Sequence, residues 1–258
     1  MILCIDIGNT NITIGVYKGN KLESHWRLAT DLERMPDEYG IQLLGLFAFS
    51  NLFTEEIEGG IMASVVPPLT EKWIQICNTY IGFKPLVISP QIMTGVLIHY
   101  DEPNAVGADR IVDAVATHHL HGGPACIVDF GTATTFDAIT EKGEYLGGAI
   151  APGIQIAAEA LSYRTAKLPR IDIARPPSVI GRNTTHSMQS GILYGYTSMV
   201  EGMVKRFRSE LGPNMKVIAT GGLAEVIAQE TDVFDVIAPW LTLDGLNIIY
   251  KMNTPHSV

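Results

Sequence analysis

Three short stretches of this 258-residue chain combine residue types that chemistry can use. Asp6-Ile7-Gly8-Asn9-Thr10-Asn11 places a carboxylate at the end of an apolar run and follows it with a glycine, amides and a hydroxyl. A glycine just after a strand lets backbone N–H groups turn toward an anion, and Asn and Thr add side-chain donors. An Asp at the strand end suits holding a metal-bound water rather than facing phosphate directly. The same residues also make an ordinary Asn/Thr-capped hairpin turn, and alone the stretch reads equally well either way. Asp129-Phe130-Gly131-Thr132-Ala133-Thr134-Thr135 repeats the arrangement with three hydroxyls crowded together, although threonine is also simply a good strand residue. Gly107-Ala108-Asp109-Arg110 opens a helical pattern. Asp109 is either a helix cap and dipole partner or a carboxylate placed to accept a hydroxyl proton late in phosphoryl transfer. Arg110 beside it offers a forked contact to a substrate carboxylate.

Other clusters are weaker. No Gly-Lys-Ser/Thr occurs, so neither Asp loop is of the Walker type. Gly147-Gly148-Ala149-Ile150-Ala151-Pro152-Gly153 supplies small residues where a ligand or another backbone can approach closely, or merely connects a strand to a helix. His118, His119 and His121 end a helical run, where imidazoles suit the negative end of the dipole; with no partner motif, metal ligation is not expected there. Arg164, Lys167, Arg170, Arg175 and Arg182 fall in a segment whose sole acid is Asp172, a cationic surplus that fits an anionic substrate or a solvated loop.

Positioning these stretches needs an α/β framework. Met1–Ile5, Asn11–Tyr17 and Lys21–Leu28 read as strands, the last two joined by a turn at Gly19-Asn20. Helical spacing follows over Tyr39–Phe49, a strand over Gly60–Val66, a helix over Leu69–Tyr80, a strand at Pro85–Ser89 and a helix over Ala105–Leu120. After Pro124 the pattern begins again, with strands at Ala125–Phe130, Thr132–Ile139 and Tyr145–Ile150. A loop over Leu168–Val179, a long helix over Met188–Leu211, a strand at Met215–Ala219 ending in Thr220-Gly221-Gly222, and helices over Leu223–Gln229 and Leu241–Met252 complete the chain. A strand–Asp–x–Gly–polar–strand unit occurring once per half suggests two duplicated domains, 1–118 and 119–258. Composition agrees: 47% apolar and 17% charged residues supply a core and exclude a disordered chain or a disulfide-stapled miniprotein. A net charge of −9 without a basic stripe excludes nucleic acid as the main partner. No apolar run is long enough to span a bilayer, and the opening MILCIDIGNT is not a signal peptide. Three cysteines, each inside an apolar stretch, read as reduced core residues of a cytoplasmic protein.

Taken in order, the Asp6 loop, Gly107–Arg110, the Asp129 loop, Gly147-Gly148 through Pro152-Gly153, Thr165-Ala166-Lys167-Leu168-Pro169, Gly181-Arg182-Asn183-Thr184-Thr185 and Met188-Gln189-Ser190-Gly191 resemble the type III pantothenate kinases. The resemblance runs from residue 1 to about residue 245. It implies two duplicated actin-like (ribonuclease H-like) α/β domains with the nucleotide cleft between them. It also implies ATP-dependent phosphorylation of pantothenate to 4′-phosphopantothenate, the first step of coenzyme A biosynthesis. By position, Asp6, Ile7, Gly8, Asn9, Thr10, Asn11, Ile12, Thr13 and Thr132 would contact ATP, and Asp109 would be the proton acceptor. Tyr100, Gly107, Ala108, Asp109, Arg110 and Thr184 would line the pantothenate site. Asp129 would bind a monovalent cation, K⁺ or NH₄⁺, with Mg²⁺ accompanying ATP. The family further implies a cytoplasmic homodimer with the substrate pocket near the interface. The helix over Met188–Leu211 is its expected seat, because Ile192, Leu193, Tyr196, Met199, Val200, Met203, Val204 and Phe207 cover more than one stripe. The rival readings are another phosphotransferase or phosphohydrolase of the same superfamily, or a regulator without catalysis. Retention of Asp109 and of the Asp6 loop speaks against the regulator.

Overall fold

A computed structural model describes residues 1–254. The chain forms two compact units. One contains Met1–Val96, Asp101–His119 and the C-terminal segment from Leu241; the other contains Leu97–Tyr100 and Leu120–Trp240.

The first unit is built on a five-stranded sheet of β1 (Ile2–Ile7), β2 (Asn11–Lys18), β3 (Lys21–Ala29), β4 (Gly59–Ser64) and β5 (Leu86–Val87), in the order β3-β2-β1-β4-β5. The first three form an antiparallel meander, and β4 and β5 run parallel to β1. Gly19 closes the β2–β3 turn at φ +62°, a conformation that a side chain resists. Helices α1 (Pro36–Phe49) and α2 (Pro67–Ile76) each begin on a proline, whose fixed φ and missing N–H suit the first helical turn. Tyr39, Leu43, Phe47, Leu69, Trp73 and Ile76 of these helices pack on Leu3, Ile5, Ile7, Ile12, Ile14 and Val16 of the sheet. Helix α3 (Ala108–His121) carries Asp109 in its first turn.

The second unit repeats this plan. Strands β6 (Ala125–Phe130), β7 (Ala133–Ile139), β8 (Tyr145–Pro152), β9 (Lys216–Gly221) and β10 (Val236–Ile237) take the order β10-β9-β6-β7-β8. Again three strands form an antiparallel meander and the last two run parallel to the first. The equivalence is residue-deep: Asp6 lies opposite Thr13 and Ala63, and Asp129 opposite Thr135 and Thr220. Helices α4 (Ile154–Arg164), α5 (Thr184–Leu211) and α6 (Ala224–Ala228) accompany this sheet. The duplicated α/β organisation expected from the sequence is therefore present.

Three expectations need correction. The last helix, α7 (Leu241–Asn253), falls in the expected second domain but packs on the first sheet. Tyr17 donates its hydroxyl proton to Asp244 (2.6 Å), Asn247 Nδ2 and Lys251 Nζ donate to Gly19 O (3.0 and 2.7 Å), and Leu243 lies over Gly15. The physical reason is that α1 and α2 cover one face of β1, and α7 packs against the sheet through its own buried residues. That is why Leu3, Cys4 and Ile5 are successively buried. Second, the apolar surplus of α5 is not a free surface. Leu193, Tyr196, Val200 and Val204 are buried in the unit's own core, with Ile192, Met199, Met203 and Phe207 packed against it. Third, α4 had no counterpart in the sequence reading. Burial pushes the thiols of Cys4, Cys77 and Cys126 upward, Cys77 to about 12, and all three cysteines are free. Among the described residues no helix is long and apolar enough to cross a membrane.

Candidate active site

In the first unit, β1 delivers Asp6 to the sheet's end and the chain turns over Gly8–Thr10 into β2. Gly8 N donates to Asn11 O (3.0 Å), closing the turn. Thr30, just past β3, fastens it twice: its hydroxyl donates to Gly8 O (2.6 Å) and its N–H to Thr10 O (3.0 Å). Asn9, Thr10 and Asn11 stay exposed. Ile7 and Ile12 do not: their side chains are fully buried in the core, so only their backbone can meet a ligand.

The same unit brings Asp109 near this loop. Val65, just beyond β4, donates its N–H to Ile7 O (3.0 Å), and a Cβ on Gly107 would lie 3.7 Å from the Val65 side chain. That same Cβ would collide with Asp109 Oδ1, so Gly107 is what makes room for the carboxylate. Asp109 Oδ1 also accepts from Arg110 N (2.9 Å). The helix start thus holds one carboxylate oxygen in place, and Asp109 is half-buried beside half-buried Arg110.

In the second unit Asp129 is held by glycines instead. A Cβ on Gly221, at φ +89°, would collide with Asp129 Oδ1, and one on Gly131 would sit 3.3 Å from Oδ2. Gly153 presses on the loop from the other side; it donates to Thr132 O (3.1 Å), and a Cβ there would strike the backbone of Gly131 and Thr132. Tyr196 locks this corner. Its hydroxyl lies 2.5 Å from Pro152 O and 2.6 Å from Thr134 Oγ1. A carbonyl only accepts, so the tyrosine donates to Pro152 and the threonine donates to it. A carboxylate walled by backbone, with Thr132 exposed beside it, offers oxygen ligands to a hard cation. No cluster of three or more His, Cys, Asp or Glu suited to a metal occurs among the described residues. A divalent ion here would lean on substrate phosphates, as Mg²⁺ commonly does.

Tyr100 also belongs to the second unit, 41% exposed, with its ring centroid 6.4 Å from that of Tyr145. Thr184 stands exposed at the first position of α5, after Asn183, whose Oδ1 accepts from His186 N (2.8 Å) as a helix cap. The structure thus groups the Asp6 loop with Gly107–Arg110, and groups Asp129 with Thr132, Gly153 and Gly221. Sequence reasoning missed Thr30 and the part played by Gly221. The available signal was register, since each lies where a strand ends beside one of the Asp loops.

With this geometry in view, the sequence profile of type III pantothenate kinase matches residues 2–206. The chain is 52% identical over 254 residues to the type III pantothenate kinase of Moorella thermoacetica, covering 98% of this chain and 100% of that protein. It is likewise 52% identical to the Geobacillus kaustophilus enzyme of that name, covering 98% of each. The chain belongs to the type III pantothenate kinase family. Solved structures similar to this type III pantothenate kinase family member share its fold at low identity. A Baf-family protein from Campylobacter jejuni matches with a TM-score of 0.62 at 20% identity, over 97% of this chain and 98% of that one. The ethanolamine utilization protein EutJ from Carboxydothermus hydrogenoformans matches at 0.55 and 15%, over 96% and 89%.

Proposed function

We propose that this chain transfers the γ-phosphoryl group of ATP to the primary hydroxyl of pantothenate, giving 4′-phosphopantothenate, the first step toward coenzyme A. The observation that carries the reading is Asp109, seated by Gly107 at the start of α3 in a chain 52% identical to the family's curated members. Asp109 accepts the hydroxyl proton late in the transfer, while the Arg110 N–H holds one of its oxygens in place. ATP meets the loop from Asp6 to Thr13, through backbone at Ile7 and Ile12, and Thr132. Tyr100 packs on the dimethyl middle of pantothenate, and Gly107 through Arg110 and Thr184 complete its site. Mg²⁺ accompanying ATP and K⁺ or NH₄⁺ at Asp129 supply the positive charge that a lysine supplies in Walker-type enzymes.

The active form is a homodimer in this reading, through a different face from α5. Tyr163, 83% exposed, lines a hollow of about 540 Å³ together with Ile156, Leu168, Arg164 and Arg170. A second copy seated on this hollow would cover Tyr163 and Ile156. A cytoplasmic setting suits three free, buried thiols. The test is a coupled assay with ATP, Mg²⁺, K⁺ and pantothenate, with the product identified by mass. Phosphate release from ATP that does not need pantothenate would overturn the proposal in favour of a phosphohydrolase.

A further inference from the structure

Leu97–Tyr100 is a four-residue piece of the chain's first half that is built into the second unit. It lies along β8, the outermost strand of the second sheet. Tyr145 N donates to Leu97 O (2.9 Å) and His99 N donates to Tyr145 O (2.8 Å), the two bonds of a parallel bridge centred on Ile98. Tyr145 itself is fully buried, and its hydroxyl donates to Asp137 Oδ1 (2.8 Å). The other oxygen of Asp137, a carboxylate 1% exposed, accepts from Thr135 Oγ1 (2.8 Å). The Tyr145 ring is therefore fixed at its hydroxyl and at its backbone, and it presents its flank to the Tyr100 ring at 51°. On the other side Gly147, at φ +109°, leaves space that a Cβ would take up, 3.2 Å from Tyr100 Cδ2 and Cε2. Outside, His99 Nε2 faces Glu144 Oε1 at 3.6 Å.

Tyr100 is 41% exposed, yet its ring rests against a tyrosine that is fully buried. Burying a carboxylate against a phenol costs desolvation, and such a pair is kept where it fixes one arrangement. We propose that Tyr145 is a positioning residue: braced by Asp137, it sets the Tyr100 ring over Gly147 so that Tyr100 meets pantothenate without first being ordered. This rests on the reading of Tyr100 as a pantothenate-lining residue. Ordering a loose side chain on binding weakens affinity, so the effect belongs in the pantothenate KM and not in the chemical step.

Tyr145→Phe keeps the ring and the backbone bridge and removes the hydroxyl with its bond to Asp137. The expected result is a pantothenate KM raised about five- to tenfold, with kcat and the ATP KM within about twofold of the parent. On a Tyr100→Ala background the same substitution should change the pantothenate KM no further, a coupling that a general loss of stability would not produce. If Tyr100→Ala leaves the pantothenate KM unchanged, the assignment of Tyr100 fails. If Tyr100→Ala raises it and Tyr145→Phe does not, or the two effects multiply, the positioning role is overturned. Should Tyr145→Phe not fold, Glu144→Gln, at a half-buried residue, carries the test through His99; the same KM-only rise is expected, and its absence counts against the proposal.

Discussion

Asp6 in β1 and Asp129 in β6 occupy equivalent places in two sheets of the same strand order, each followed by a glycine-containing turn into an antiparallel partner. They are fastened by different means. The Asp6 loop is tied by hydrogen bonds from Thr30, and a Cβ on Gly8 would come no closer than 3.1 Å to Asn11 O. The Asp129 loop is tied by the Gly153 N–H to Thr132 O and is packed more tightly, because Gly153 and Gly221 stand where any Cβ would strike the loop backbone or the carboxylate. One duplicated device has diverged into an open loop with exposed donors and a carboxylate walled by backbone. The first suits phosphates, which need room and N–H groups; the second suits a small cation that gives up water to carboxylate and backbone oxygen.

The proposed proton acceptor, Asp109, lies outside both loops, and the largest effect is expected there. Asp109→Asn keeps the shape and can still accept from Arg110 N, so fold and ATP binding should persist while turnover falls about 10²–10⁴-fold. A loss below about tenfold in a single-turnover measurement would make Asp109 a helix cap only.

Next comes the contrast of the two aspartates. Asp129→Ala should lower the rate on the order of 10²-fold and abolish any preference for K⁺ or NH₄⁺ over Na⁺. Asp6→Ala should impair activity and alter the Mg²⁺ dependence, yet leave the K⁺ preference of the residual rate intact. Equal parental rates in sodium and potassium buffers would remove the cation site and the comparison with it.

Glycine substitutions test the fastening itself. Gly221→Ala forces a side chain into φ +89° and into Asp129, so a stability loss of about 1–3 kcal/mol and a weaker response to K⁺ are expected. Gly8→Ala meets only a tight contact and should cost less on both counts. Smaller again, Thr30→Val deletes the bond to Gly8 O, about 1 kcal/mol, and should raise the ATP KM about fivefold. If Gly8→Ala proved the more damaging glycine change, the two loops would have been assigned the wrong way round.

Much of this was legible in the residues, and the failures are informative. The meanders announce themselves because alternation and glycine turns are local, so Asp6 and Asp129 were correctly placed at strand ends. Ile7 and Ile12 stand inside the loop motif, and period-two alternation points both side chains into the core, which leaves only their backbone to face a ligand. Helix α4 escaped notice because Ile156 and Tyr163 are exposed and blur its apolar stripe. The two-face pattern of α5 is real but is satisfied within its own unit, and periodicity cannot say which neighbour covers a face. The same limit misplaced α7, whose stripe says that it packs but not on which sheet. Thr30 and Gly221 act on residues distant in sequence, so only strand register reveals them.

The smallest effect concerns the thiols beneath the two loops, Cys4 in β1 and Cys126 in β6. Burial pushes both upward, with Asp244 adding to the rise at Cys4 and Asp137 at Cys126. A thiol whose folded pKa exceeds its ordinary value of 9.0 keeps a proton that the unfolded chain releases. Its contribution to stability is therefore complete below about pH 9 and is lost as the pH rises above that value, with Cys77 acting in the same direction. Melting temperatures should be insensitive to these groups from about pH 7 to 9 and fall beyond. Iodoacetamide at about pH 8 should label none of the three native cysteines and leave activity unchanged, while the unfolded chain takes three labels. Labelling of Cys126 but not Cys4 would show that the second sheet opens more readily than the first.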